Sequence, residues 1–303
     1  MDTFFTPTLL RTPAWQDYEL LDSGDAMKLE RFGAHALVRP EVQATWRRSL
    51  PSERWDAADG TFKATREESG GHWQLRKSVV PEWIMEYPLS GVSPCVLRFV
   101  ARTTPGRHLG VFPEAASHWD FIVEALRASE PGARVLNLFG YTGLASLAAA
   151  AVDAAVTHVD ASKKAVSWAR ENQTLSQLED KRIRWIIDDA LKFALREGRR
   201  GARYEGIIIE PPKFGRGPKG EVWEIYKSLP RLMDACRQLL SKRPIFLILT
   251  LYAVRASPVH LAQTVAQALD GFDGRTTCGE LVTLESSAGR LLSQAAYARW
   301  KTN

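Results

Sequence analysis

Residues 134–143, Arg134-Val135-Leu136-Asn137-Leu138-Phe139-Gly140-Tyr141-Thr142-Gly143, decide the fold. Arg134–Phe139 reads as a short buried strand, and the Ala-rich stretch Leu144–Ala151 behind it reads as a helix. The turn between them carries two glycines spaced G-x-x-G. Such a turn lets a ligand approach the backbone closely, and the helix start offers free N–H groups and a positive dipole end. Pyrophosphate binders place three glycines, G-x-G-x-x-G. The third is missing here, so the turn suits a carboxylate better than a pyrophosphate. An ordinary strand–helix turn has the same composition, so the motif gains meaning only beside the strand ends C-terminal to it.

Three further strand ends carry chemistry. Ala155–Asp160 is a strand ending in Asp160, 17 residues beyond Gly143. An acid there can accept hydrogen bonds from both ribose hydroxyls of a nucleoside, or cap the helix Ser162–Gln177, for which Ser162 is the expected N-cap. Ile183–Ile187 is a strand that runs into Asp188-Asp189 and the helix Ala190–Gly198. A carboxylate at that point can receive an adenine amino group; Asp189 is preferred because it directly precedes the helix, with capping as the alternative. Tyr204–Glu210 closes on Glu210-Pro211-Pro212-Lys213-Phe214. The two prolines fix the backbone and expose carbonyls, which places acceptors beside a transferred group. Phe214 can stack on a target ring, and the loop Gly215–Gly220 adds Arg216 and Lys219 to Lys213 for phosphate contacts; a merely solvated loop is the alternative.

The pattern outward from these motifs is a helix Leu229–Leu240, a strand Ile245–Tyr252 and a helix Pro258–Leu269. Strands alternating with helices imply a parallel sheet covered on both faces. Thr276–Leu284 and Arg290–Trp300 then read as two strands with no helix between them. A hairpin finishing an otherwise parallel sheet resembles the end of a class I methyltransferase, so the expected fold is α/β, a Rossmann-like class I methyltransferase sheet with a terminal antiparallel β-hairpin, preceded by a small β-rich domain. We place the domains at residues 1–105 and 106–303, with the boundary at Pro105-Gly106-Arg107. In the first, Ala34–Arg39, Trp73–Val79 and Val96–Ala101 read as strands and Ser49–Gly71 as a polar, turn-rich stretch.

Composition narrows the class. A chain of 303 residues with 45% hydrophobic and 25% charged residues can bury an ordinary globular core without staples. The three cysteines, Cys95, Cys236 and Cys278, form no C-x-x-C pair and are expected to be reduced, with no zinc site. Met1–Phe5 lacks the start of a signal peptide and no apolar run of about 18 residues occurs, so a cytoplasmic location with no membrane span is expected. Residues 1–105 carry 13 Lys/Arg against 14 Asp/Glu, whereas 106–303 carry 27 against 21. The basic excess falls in the catalytic part and favours an anionic partner. The six histidines show no metal-ligand spacing, and His108 and His118 read as surface or packing residues.

Taken together, Asn137-Leu138-Phe139-Gly140-Tyr141-Thr142-Gly143, Asp160-Ala161-Ser162, Asp188-Asp189 and Pro211-Pro212-Lys213-Phe214 resemble the bacterial 23S ribosomal RNA large-subunit methyltransferases, class I enzymes, in the branch with a small β-rich domain before the catalytic one. Gly110-Val111-Phe112 resembles that family's cofactor-lid segment, and Tyr18–Gly33 its N-terminal segment. No extra RNA-binding PUA domain is evident. The resemblance covers about residues 95–255. It implies S-adenosylmethionine as cofactor, held by Phe112, Asn137, Phe139, Gly140, Tyr141, Thr142, Gly143, Asp160, Ala161, Ser162, Asp188, Asp189 and Glu210. Glu210, Pro211, Pro212, Lys213 and Tyr252 become the candidate catalytic residues, and Phe214, Arg216 and Lys219 the candidate contacts to an RNA acceptor.

Three departures matter. Glu114-Ala115-Ala116 stands where the family holds Asp-Gln-Arg, so the Gln and Arg contacts are lost. Glu210 replaces the aspartate of Asp-Pro-Pro. Thr250-Leu251-Tyr252 supplies no cysteine, and methylation of cytosine carbon 5 requires a thiolate. The expected reaction is therefore direct methyl transfer to an RNA base, flipped out if it lies in structured RNA. A small-molecule or protein acceptor, an oxidoreductase, and an inactive RNA-binding module are the competing readings. The missing third glycine and the Glu-Pro-Pro motif argue against the oxidoreductase.

Overall fold

Seven strands after residue 133, joined at one edge by a strand from the N-terminus, pair into one eight-stranded sheet. Edge to edge its order is Thr8–Arg11, Gly274–Leu284, Leu291–Thr302, Phe246–Leu251, Gly206–Ile209, Arg134–Leu138, Ala155–Asp160 and Ile183–Ile187. The last five are mutually parallel, and Leu291–Thr302 is antiparallel to both neighbours, as the fold class requires. This is a computed structural model, and it describes residues 5–65, 70–77, 79–92, 95–252 and 254–303. The reading of Met1–Phe5 therefore lies almost wholly outside the described residues.

Burial on both faces explains the near-continuous apolar strands. Alternate side chains of one strand point to opposite sides. Val135, Ile208 and Ile248 join a core beneath the helices Ala116–Arg127 and Leu144–Ala150. Leu136, Leu138, Ile207, Ile209, Leu247 and Leu249 join a second core under Ala190–Arg199, Ile225–Leu239 and Pro258–Ala268. Glycine is forced at Gly206, where a Cβ would meet the Phe246 ring at 2.5 Å.

The N-terminal part forms a five-stranded sheet, Tyr18–Gly24, Met27–Phe32, His35–Pro40, Gly60–Ala64 and Gly71–Leu75, and a hairpin Glu82–Pro88/Val96–Arg102. The hairpin is bolted to the helix Lys163–Leu175: Val100 N–H donates to Asn172 Oδ1 at 3.0 Å, and Trp168 Nε1 donates to the Val100 carbonyl at 3.0 Å. Thr8–Arg11 crosses the division at residue 105 and adds a parallel edge strand to the large sheet.

Several local readings are corrected. Ser49–Gly71 holds a helix, Ser52–Asp56, and the strand Gly60–Ala64, with residues 66–69 outside the described residues. Trp73–Leu75 is the end of a strand, but Val79 is not in one, and residue 78 is outside the described residues. The helix expected from Leu229 begins at Ile225, with Pro230 in its second turn. There the ring removes one backbone hydrogen bond close to the helix start. The stretch read as a basic loop is a short hairpin, Phe214–Arg216 paired with Val222–Glu224. Trp223 is buried and its Nε1 donates to the Pro212 carbonyl at 2.7 Å, which pins the hairpin to the Pro-Pro turn.

Candidate active site

The carboxyl ends of the parallel strands open into a cleft of about 640 Å³. Its floor is the turn after Arg134–Leu138. Phe139, Tyr141 and Gly143 all have positive φ, at 60°, 49° and 85°, so two non-glycine residues carry backbone strain here. Gly140 lies against the neighbouring strand: a Cβ there would meet His158 Cε1 at 2.4 Å. His158 is held by Ser146 Oγ at 3.0 Å, which itself accepts from Asn137 Nδ2 at 2.9 Å. Burial holds that imidazole down at about 3, so it stays neutral. Asn137 thus supports the turn from below while also lining the cleft.

The second strand delivers Asp160. Its Oδ2 accepts from Tyr141 N–H at 2.9 Å and its Oδ1 from Ser162 N–H at 2.8 Å. Burial nevertheless raises its carboxyl. Ser162 caps the following helix by accepting from Ala165 N–H, so Asp160 is not the cap. The third strand separates the two adjacent acids. Asp188 spends both oxygens, one on Asp189 N–H at 2.9 Å and one on Arg196 at 2.6 Å. Asp189 caps its helix with Oδ1, accepting from Lys192 N–H at 2.8 Å. Its other oxygen has no hydrogen-bond partner among the described residues, and the side chain lines the cleft.

The fourth strand brings Glu210, Pro211, Pro212 and Lys213 to the same wall, facing Tyr252 from the strand beside it. Burial, then the charge of Glu114, lifts the Glu210 carboxyl to about 7. Tyr252 Oη is buried without a hydrogen-bond partner among the described residues. Its phenol is pushed well above the ordinary value by burial and by Glu210 and Glu114. Phe112 closes over this group, 5.0 Å from the Tyr252 ring and 5.8 Å from Tyr141. The lid segment is tied down where Thr142 Oγ1 donates to the Gly110 carbonyl at 2.6 Å.

Of the residues singled out in sequence, Phe112, Asn137, Phe139, Gly140, Tyr141, Thr142, Asp160, Ala161, Ser162, Asp188 and Asp189 line this cleft together with the Glu210 wall. Gly143 lies behind it, shaping the turn. Arg216 borders the cleft, but Phe214 and Lys219 do not: Phe214 is 56% exposed, with Lys213 Nζ 5.4 Å over its ring. Phe214 and Arg216 share one face of their short strand, so periodicity alone would have given them the same role. The Pro212 carbonyl, expected to be exposed, is occupied by Trp223. His118 is a packing residue that accepts from Arg299 Nε at 2.8 Å and meets Thr250 Oγ1 at 2.9 Å. His108, read in sequence as a surface or packing residue, instead lines the cleft, half-buried, its ring tilted against that of Phe112 at 4.5 Å.

The opposite wall was missed in sequence. Lys28, Arg39, Glu41, Gln43 and Gln294 reach the cleft from the N-terminal sheet and the last strand. Glu30 sits behind them. Burial would lift its carboxyl, but Arg39, at 2.7 Å, and Lys28 outweigh that and hold it at about 2. Gln294 accepts from Lys28 Nζ at 3.0 Å, and its Nε2 is buried without a partner among the described residues. Glu114, only 5% exposed, stands at the base, its carboxyl raised by burial. The available signal was the alternation Lys28-x-Glu30 opposite Arg39, three charges on the inward face of two strands.

A parallel sheet closed by an antiparallel hairpin, with a glycine turn and acids at successive strand ends, defines a class I S-adenosylmethionine-dependent methyltransferase. Comparison agrees. The crystal structure of the S-adenosylmethionine-dependent methyltransferase from Agrobacterium tumefaciens superposes with a TM-score of 0.91 and 43% identity, over 98% of this chain and 94% of that one. The chain belongs to the S-adenosylmethionine-dependent methyltransferases. A putative methyltransferase complexed with SAH shares the fold at a TM-score of 0.70 and 18% identity, over 94% of this chain and 75% of that one. Ribosomal RNA large subunit methyltransferase K/L of Shewanella sp. (strain ANA-3) is 36% identical over 113 residues, 36% of this chain; the match spans only 16% of that protein. No family model matches. The cofactor is S-adenosylmethionine, and the cleft suits it: it is open, roomy, and presents unspent carboxylate oxygen at Asp189 and a half-buried carboxylate at Asp160.

Proposed function

We propose that this methyltransferase acts on a base of RNA, ribosomal RNA in the first instance, by direct transfer without a cysteine nucleophile. One observation carries the reading: Glu210, its carboxyl lifted to about 7, and the unpartnered Tyr252 hydroxyl stand at the ends of adjacent strands on one wall of a cleft that none of the three cysteines lines among the described residues. Cys236 and Cys278 are buried in the core beside the last strands, and Cys95 lies on the N-terminal hairpin turn.

When bound, the cofactor supplies a methyl group on a sulfonium that leaves as a neutral thioether. The chain's own task is alignment and exclusion of water. Asp160 would hold the ribose hydroxyls, Asp189 the adenine amino group, and the Phe139–Gly143 turn the methionine carboxylate. Phe112 covers the reacting end. Glu210, half-ionised near neutrality, orients the acceptor nitrogen or oxygen and takes its proton. Tyr252 donates a hydrogen bond to the acceptor, and the Pro211-Pro212 turn holds Glu210 in place. Arg216 and Lys213 at the mouth contact phosphate.

A shallow cleft without basic groups would have favoured a small acceptor. This one carries five basic residues, Lys28, Arg39, Arg107, Lys213 and Arg216, among six acidic ones, so the basic residues at its mouth, Lys213 and Arg216, and not its overall charge support an anionic acceptor. The relatives named as ribosomal RNA methyltransferases add weight to RNA, and a cytoplasmic site of action follows from that substrate. No described helix is long and apolar enough to cross a membrane.

The test is methylation with tritiated S-adenosylmethionine of bacterial RNA, ribosomal subunits, a protein fraction and a small-molecule fraction, side by side. Label is expected in ribosomal RNA, in a nucleoside other than 5-methylcytidine, and at a strongly reduced rate with Glu210→Gln. Label in the protein or small-molecule fraction alone would overturn the RNA assignment.

A further inference from the structure

The positive charge of this chain has a definite address. Residues 106–303 carry six more basic than acidic groups, and five of those six fall between Lys181 and Arg203, where eight Lys/Arg face three Asp/Glu. These residues do not gather at the catalytic mouth. A second groove, of about 460 Å³, is lined by Arg134, Arg182, Arg184 and Arg203 over a floor of Thr157 and Tyr204. It lies at the first residues of the strands Arg134–Leu138, Ala155–Asp160 and Ile183–Ile187, whereas the cofactor cleft lies at their last. Five residues of strand put about 15 Å between the two.

The acids near the groove are already spent. Glu197 is buried, gives one oxygen to Arg200 at 3.1 Å, and shares the other between Arg184 at 3.3 Å and the Tyr204 hydroxyl at 3.1 Å. Glu205 pairs with Arg134 at 3.3 Å. Arg182, Arg199 and Arg203 have no carboxylate partner among the described residues. Arg199 and Arg196 stand in the last turn of the helix Ala190–Arg199, where cations offset the dipole. Arg134, Arg182 and Arg203 lie outside that helix, so this local effect does not account for them. Planar guanidinium groups along an open, solvent-facing groove match phosphate oxygens bidentately.

We propose that this arginine-lined groove is a docking surface for the phosphate backbone of RNA, separate from the cleft where the methyl group is transferred. The proposal rests on the reading of RNA as the acceptor. It assigns the groove to holding the flank of a folded RNA while one nucleotide enters the cleft on the far end of the sheet. Contacts of this kind position the substrate and carry no sequence information.

The test uses the whole chain and a fluorescein-labelled RNA stem-loop, with binding followed by anisotropy across a salt series. Arg182→Ala/Arg203→Ala is compared with wild type and with the mouth variant Lys213→Ala/Arg216→Ala. The groove variant should weaken binding about tenfold at low salt and lower the slope of log K against log salt by about 1 to 2. Its calorimetric affinity for S-adenosylmethionine should equal that of wild type, which shows that it folds. Wild-type binding with an unchanged slope in the groove variant would overturn the docking surface and leave the RNA reading standing. No binding by wild type even at low salt would overturn both.

Discussion

Arg290, on the terminal hairpin, reaches the carboxylate of Asp22 in the N-terminal sheet at 3.2 Å across 268 residues of chain. The same guanidinium bonds Glu285 at 2.7 Å. Asp22 and Glu285 are both fully buried as side chains, and the single O–H of Ser287 lies between them, its Oγ 2.6 Å from Asp22 and 2.7 Å from Glu285. Trp55 Nε1 and the backbone N–H groups of Ser49 and Leu50 complete the shell around Asp22. Two carboxylates thus share one partly exposed cation at the junction of the two parts.

Removing that cation leaves two buried carboxylates uncompensated. Arg290→Ala should cost roughly 2–4 kcal/mol of stability, read as a lower urea midpoint. A change under about 0.5 kcal/mol would show that the surrounding hydroxyl and N–H donors suffice alone.

The pH dependence of this junction has a fixed sign. Burial would raise Asp22, but Ser287, Leu50 and Trp55 outweigh it and hold its carboxyl below the ordinary value. Its contribution is therefore present above the unfolded value, about pH 4, and is lost as pH falls through the lowered folded one. Unfolding midpoints against pH should decline on the acid side, and less steeply in Asp22→Asn.

Gly140→Ala forces a methyl group against the His158 ring. Overpacking of this kind costs about 1–3 kcal/mol, and relief by shifting the turn should abolish cofactor affinity in calorimetry. A variant that binds S-adenosylmethionine like wild type would disprove the role of this close approach.

Asp160→Ala should lose at least tenfold in cofactor affinity, since hydrogen bonds to a charged group are worth about 1.5–3 kcal/mol. It also frees the Tyr141 and Ser162 N–H groups. Asp189→Ala should reduce affinity and weaken the helix cap, whereas Asp188→Ala, whose carboxylate is neutralised by the Arg196 guanidinium, should alter affinity least.

Glu210 sets the pH profile of turnover. With its carboxyl at about 7, activity should rise through neutrality and level off above about pH 8. Glu210→Gln should be slow and flat. The same raised group binds protons more tightly in the folded state, so its contribution to stability falls as pH rises from about 4.3 towards its folded value. A wild-type profile without a limb near neutrality would dismiss Glu210 as the base.

The half of the site built from parallel strands was readable because each strand ends in a residue whose type is dictated by backbone or charge. Gly140 has no room for a Cβ, and Asp160, Asp189 and Glu210 mark three successive strand ends. The other wall was not readable because Lys28, Arg39 and Gln294 meet only through tertiary packing of the N-terminal sheet on the last strand. Local pattern could show that Lys28 and Glu30 share a face, but not that the face looks into the cleft. The hairpin Phe214–Glu224 was hidden by its glycines, whose turn composition fits a loop equally well. Thr8–Arg11 gave no local sign of its partner, since a four-residue strand finds its place only beside a finished neighbour.

That edge strand has a consequence for how the molecule is made. Thr8–Arg11 pairs with Gly279–Val282, and Gly279 admits the pairing because any side chain there would strike the Thr8 carbonyl. Thr8 Oγ1 also meets the Tyr297 hydroxyl at 2.8 Å. The earliest strand of the sheet is thus an orphan throughout translation until the final hairpin leaves the ribosome. Contacts this distant in sequence form slowly. Completion of the sheet edge waits until residues 274–284 have emerged, and nascent chains halted short of residue 274 would carry an unpaired strand next to a finished glycine turn.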